Sequence, residues 1–139
     1  MFRTKNTPQD FMSQRDIDAL DTHFSEHELT QLAQLSTPVD IKAGTHLTIE
    51  GTLGQQALVL VEGTASVLRD GEKIATVAAG DIIGEMALLS GEARTATVVT
   101  DVDATVYALT PQEFASLLAN CPRLEARVTS LALGRLTVA

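Results

Sequence analysis

Between Val39 and Leu109 the chain breaks into short runs of alternating or β-branched residues, each closed by a glycine or an aspartate. Runs of this length and period form an antiparallel sandwich or barrel, because each strand can bury one face while the turns carry the chain back. The expected strands are Val39 to Lys42, Thr45 to Ile49, Ala57 to Val61, Thr64 to Arg69, Glu72 to Val77, Ile82 with Ile83, Thr95 to Thr100, and Ala104 to Leu109. Asp70-Gly71 is the clearest turn, since both central positions of a type I′ hairpin need positive φ and this pair tolerates it. Gly44, Gly51, Gly54, Gly63 and Gly80 mark other corners, and no internal repeat is evident.

Helices are expected on either side. Phe24-Ser25-Glu26-His27-Glu28-Leu29 carries a capping box, Ser25 with Glu28, and a hydrophobic staple, Phe24 with Leu29. The helix it starts has Leu29, Leu32, Ala33 and Leu35 as its apolar stripe and should end near Pro38; Asp16 to Asp21 forms a shorter one ahead of it. Leu109-Thr110-Pro111-Gln112-Glu113-Phe114 repeats the logic, with Thr110 as cap, Pro111 at the first helical position and Leu109 stapling to Phe114. After a junction at Asn120-Cys121-Pro122, the spacing of Leu124, Val128, Leu131, Ala132 and Leu136 predicts a second amphipathic helix.

The expected organisation is therefore one domain over residues 1–139, mainly β with flanking helices: helices about 16–36, an antiparallel sandwich or barrel about 38–109, and C-terminal helices about 111–137. A length of 139 residues is ample for one core. With 45% hydrophobic and 20% charged residues and no long apolar run, no membrane partner is expected. Met1 to Pro8 lacks the apolar stretch of a secretory signal, so a cytoplasmic location is expected. A net charge of −8 without a Lys/Arg cluster argues against a nucleic-acid partner.

Cys121, the only cysteine, reads as a packing residue. His23 and His27 are four apart, but a cap at Ser25 leaves His23 outside the helix, and His46 stands alone on a strand. No metal site and no cofactor are expected. An enzyme on a similar roll would need a metal-binding cluster of histidines with a carboxylate, which three scattered histidines do not supply.

Chemistry concentrates in Gly84-Glu85-Met86-Ala87-Leu88-Leu89-Ser90-Gly91-Glu92-Ala93-Arg94-Thr95-Ala96-Thr97. Gly84 lets the backbone approach a ligand closely. A helical turn over Glu85 to Leu89 would aim free amides at the same space, a geometry suited to an anion. Arg94 is the only basic residue between Lys73 and Arg123, and its fork can donate two parallel hydrogen bonds to phosphate oxygens. The Glu85 carboxylate can only accept, which suits a sugar hydroxyl, and Ala87, Ala93 and Ala96 keep the walls low. A surface ion pair of Arg94 with Glu85 or Glu92 is the plainer alternative, worth less than about 1 kcal/mol.

This stretch resembles the phosphate-binding cassette of the cyclic nucleotide-binding domain, found in catabolite-activator-type regulators, cyclic-nucleotide-dependent kinases and cyclic-nucleotide-gated channels. Glu50-Gly51, Glu62-Gly63, Ala79-Gly80-Asp81-Ile82-Ile83 and Pro111-Gln112-Glu113-Phe114 extend the resemblance in order from about Thr37 to Leu118. It implies that the hairpins stack as a jelly-roll-like β-roll, that Gly84 and Glu85 hold a ribose 2′-hydroxyl, that Arg94 pairs with the cyclic phosphate, and that Thr95 adds a phosphate contact beside a small Ala96. Met86 and Ala87 belong to the same implied site. Val67, Ile74, Val77 and Ile83 are implied as the apolar wall against the base.

Cyclic AMP is expected rather than cyclic GMP, although Thr95 could reach a guanine amino group. The resemblance further implies C-terminal helices that move about a hinge near Pro111 to Pro122, with Leu131 or Leu133 as a lid over the base. The chain stops at Ala139 where related transcription regulators carry a helix-turn-helix, so a stand-alone, non-enzymatic sensor is expected. It would act on an effector protein in trans, with a homodimer through the C-terminal helix as one option, and Phe2, Phe11 and Met12 as docking candidates. The competing expectation is a ligand-free interaction module whose nucleotide pocket has degenerated.

Overall fold

Local capping sets the helices of the computed structural model, which describes residues 7–53, 56–84 and 94–128. After a 3-10 turn at Pro8–Asp10, helix α1 (Gln14–Leu20) starts where Ser13 Oγ accepts from the Asp16 amide. Helix α2 (Glu26–Leu35) starts at a complete capping box: Ser25 Oγ accepts from the Glu28 amide at 3.1 Å and the Glu28 carboxylate accepts from the Ser25 amide at 2.8 Å. Helix α3 (Pro111–Asn120) repeats the arrangement with Thr110 and Glu113. It breaks at Cys121, and helix α4 includes residues 122–128.

Among the described residues, eight strands lie between these helices: β1 (Thr37–Ile41), β2 (His46–Thr48), β3 (Ala57–Glu62), β4 (Ala65–Arg69), β5 (Glu72–Val77), β6 (Ile82–Ile83), β7 (Thr97–Thr100) and β8 (Ala104–Leu109). They make two antiparallel four-stranded sheets, ordered β1-β8-β3-β6 and β2-β7-β4-β5. Pro38 is tolerated inside β1 because β1 is an edge strand, where a missing N–H breaks no ladder. At the β4–β5 turn Asp70 and Gly71 have φ of 52° and 81°, the positive pair that a type I′ turn needs.

The layers explain why β3 reads as a continuous apolar run. Ala57, Val59 and Val61 face a cluster built by the helices, with Leu20, Phe24, Leu32, Phe114, Leu117, Leu124 and Val128. Leu58 and Leu60 face the second sheet, in a cluster with Ala65, Val77, Ile83, Val98 and Val106. A strand covered on both faces has no polar side to alternate with. The order is thus helices, first sheet, second sheet, and the space between the two sheets is lined largely by small and β-branched residues.

Two helical contacts join parts far apart in sequence. Tyr107 of β8 donates to Asp16 of α1 at 2.7 Å, and burial raises the phenol pKa, with Asp16 adding to the shift. Arg127 of α4 donates to the His23 carbonyl between α1 and α2 and stacks over the Phe24 ring at 4.9 Å. Met12 is 8% exposed and belongs to the helical core, so it is not the docking residue expected; Phe11 beside it is exposed. Phe2, Leu131 and Leu133 lie outside the described residues. No helix among the described residues is long and apolar enough to cross a membrane.

Candidate functional site

Strand β6 ends inside the sandwich. Ile82 and Ile83 pair with Val59 and Leu58 of β3, Ile83 is 3% exposed between the sheets, and the next residue, Gly84, turns with φ of 84°. A Cβ at Gly84 would lie 1.9 Å from Nη1 of Arg94 and 3.0 Å from the carbonyl oxygen of Gln56. Glycine is required here twice over, by its backbone conformation and by the guanidinium occupying the place of its side chain.

Arg94 reaches that place from the second sheet. Its amide donates to the Thr52 carbonyl at 2.7 Å and its carbonyl accepts from the Gly51 amide at 2.9 Å, so the residue is pinned to the loop before β3. In β7, Val98 faces inward between the sheets, and Arg94 lies just ahead of the strand. The side chain then crosses the gap, and Nη2 donates to the Gln56 carbonyl at 2.8 Å.

Nη1 is left buried with no hydrogen-bond partner, the one buried side-chain nitrogen or oxygen in that state among the described residues. Burial pushes the Arg94 pKa below the usual guanidinium range, although the group stays charged. The recorded ion pair among the described residues, Arg15 with Glu62, is elsewhere. A buried cationic donor without a counter-charge is unfavourable, and an anion delivered to it would reverse the sign.

The expected wall residues separate. Val67 stands opposite Val98 and packs on the inter-sheet cluster, Val77 stands opposite Ala65 and is buried, and Ile83 joins them from the first sheet. Ile74 does not join them. The β4–β5 register shifts between Val67 and Leu68, Val67 pairing with Ala75 and Leu68 with Lys73, so Ile74 is the extra residue of a bulge. Alternation from Ala75 turns it to the outer face, where it is 50% exposed.

Thr95 is exposed, and its carbonyl accepts from Nε of Arg69 at 3.2 Å. Ala96 is half-buried, and its carbonyl accepts from Thr48 at 3.0 Å. Glu85, Met86, Ala87 and Glu92 lie outside the described residues. Sequence reasoning missed Gln56, Thr52, Gly51 and Arg69 around this site. The first three act through backbone atoms that leave no side-chain signature, and Arg69 comes close only through strand pairing.

The chain matches the family model described as the cyclic nucleotide-binding domain over residues 38–121. It belongs to that family. The match runs from β1 past α3 and so encloses Gly84, Arg94 and both sheets. Against the human potassium/sodium hyperpolarization-activated cyclic nucleotide-gated channel 4 the domain is 33% identical over 93 residues, 67% of this chain but only 8% of the channel. Among solved structures, PKAR CBD2 with Sp-2Cl-cAMPS bound aligns with a TM-score of 0.70 at 23% identity, covering 89% of this chain and 88% of that one. The catabolite activator protein of Thermus thermophilus aligns with a TM-score of 0.73 at 22% identity, covering 86% and 58%. At these identities the structures show a shared β-roll fold. Members of the cyclic nucleotide-binding domain family are regulatory and sensor domains rather than enzymes.

The same domain has a second hollow, about 280 Å³, lined by Asp40, Ile41, Lys42, Glu62, Asp103, Ala104 and Thr105. Three carboxylates against one ammonium make it unsuited to an anion.

Proposed function

We propose that this domain is a cytoplasmic sensor that binds cyclic AMP through Arg94 and passes the event through its terminal helices to an effector protein in trans. The observation that carries the reading is Nη1 of Arg94, buried, seated on Gly84 and without a hydrogen-bond partner among the described residues. The cyclic phosphate would give that guanidinium its missing acceptors, and a low-dielectric setting strengthens such a pair. Glu85 holds the ribose hydroxyl beside Met86 and Ala87, as the family resemblance implies, and Val67, Val77 and Ile83 supply the apolar wall for the base. Ile74 drops out of the site.

Cyclic AMP is favoured over cyclic GMP because the similar PKAR CBD2 structure holds the cyclic AMP analogue Sp-2Cl-cAMPS. For binding to become a signal, the ligand must favour one helix arrangement over another. The break at Cys121 and the Arg127 contact to the α1–α2 junction are the points where such a difference would be felt.

Thermal unfolding with and without each nucleotide tests the proposal. Cyclic AMP at a hundred times its dissociation constant adds about 2.7 kcal/mol to folding. No shift with cyclic AMP or cyclic GMP sinks the reading and leaves a ligand-free interaction module; a larger shift with cyclic GMP reverses the base assignment.

A further inference from the structure

Strand β4 carries a second guanidinium to the site. Strand β4 pairs with β7 as far as Leu68 with Thr97, and just past that ladder Arg69 reaches the bend before β7, where its Nε donates to the Thr95 carbonyl. Thr95 is the next residue after Arg94, so this hydrogen bond brings the Arg69 fork to the peptide adjoining Arg94.

Nε of Arg69 is held by the Thr95 carbonyl at 3.2 Å, which fixes the plane of the fork and leaves both Nη groups without a partner among the described residues. Glu72 stands opposite Arg69 in the hairpin without forming an ion pair, and the Glu50 carboxylate accepts from the Asp70 amide at 3.3 Å. Two like charges brought close, with no ion pair to either among the described residues, repel each other. A single anion between them turns that repulsion into attraction.

We propose that Arg69 and Arg94 form a two-guanidinium clamp on the ligand's phosphate, Arg94 from inside the sandwich and Arg69 from the rim of β4. The clamp rests on the reading of Arg94 as the phosphate-binding residue. It changes the electrostatics expected from the sequence, where Arg94 stood as the single cation.

Calorimetry with cyclic AMP on the wild type, Arg69→Gln, Arg69→Lys and Arg94→Gln tests it, together with the ³¹P resonance of the bound nucleotide. Arg69→Gln is expected to weaken binding roughly tenfold to a hundredfold, the range for a charge-assisted hydrogen bond, and to move the bound ³¹P resonance. Arg69→Lys, which keeps the charge without the fork, should fall between the two, and it replaces Arg69→Gln if that variant unfolds. Wild-type affinity in both Arg69 variants, or weakened binding with an unmoved resonance, overturns the clamp while leaving Arg94 in place. Wild-type affinity in Arg94→Gln, or no binding by the wild type, overturns the reading beneath it as well.

Discussion

Gly84→Ala tests the packing on which the site depends. Alanine at φ of 84° costs about 1 to 2 kcal/mol, because its Cβ crowds the following carbonyl. The new methyl would also stand 1.9 Å from Nη1 of Arg94, which forces the guanidinium away from Gly84 and off the Gln56 carbonyl. Losing that hydrogen bond to a charged donor adds about 1.5 to 3 kcal/mol. The two effects separate in a double-mutant cycle by urea unfolding, since in an Arg94→Ala background only the backbone cost and the 3.0 Å contact with the Gln56 carbonyl remain. The expected destabilisation is roughly 3 to 5 kcal/mol in the wild type and 1 to 2 kcal/mol beside Arg94→Ala, a coupling near 2 kcal/mol. Cyclic AMP binding should fail in Gly84→Ala even where the protein remains folded. Equal destabilisation in both backgrounds, with binding retained, would show that Arg94 does not sit on Gly84.

Other outcomes follow from the same structure. Arg94→Ala should weaken cyclic AMP binding by about 2 to 5 kcal/mol in calorimetry while costing little stability, because it removes a buried unpartnered donor along with one hydrogen bond. Arg127→Met deletes the bond to the His23 carbonyl and the stacking on Phe24, and should speed amide exchange in residues 122–128 more than in β3. Stability should decline at alkaline pH. Burial raises the Cys121 thiol from 9.0 to about 11, with Glu28 adding to the shift, and burial with Asp16 raises the Tyr107 phenol above its usual 10.0. Groups whose folded pKa is raised contribute fully below the unfolded value and lose that contribution as pH climbs through the folded one, so the decline should begin near pH 9. Cys121→Ala with Tyr107→Phe should flatten it in pH-dependent urea titrations.

Features written in neighbouring residues were legible. Both capping boxes lie within four positions, Asp70-Gly71 makes its own turn, and the period-2 runs mark the strands to within about two residues. The break at Cys121 was visible in Asn120-Cys121-Pro122. Period 2 counted back from Val77 puts Ile74 on the outer face, against the wall role that the family resemblance implied, and the structure follows the period. Met12 reads as a terminal residue until the helical core closes over it.

The local chemistry of this protein was determined by its sequence alone: where helices begin, where strands turn, and that Gly84 and Arg94 stand a short loop apart. The fold decided which atoms those residues meet. Stacking the two sheets brought the Gln56 carbonyl under Arg94 and Arg69 onto the Thr95 carbonyl beside it, while α4 came to rest on the α1–α2 junction. Capping and turns are satisfied by bonds along the chain, whereas strand register and sheet packing are chosen by the burial of residues dozens of positions apart.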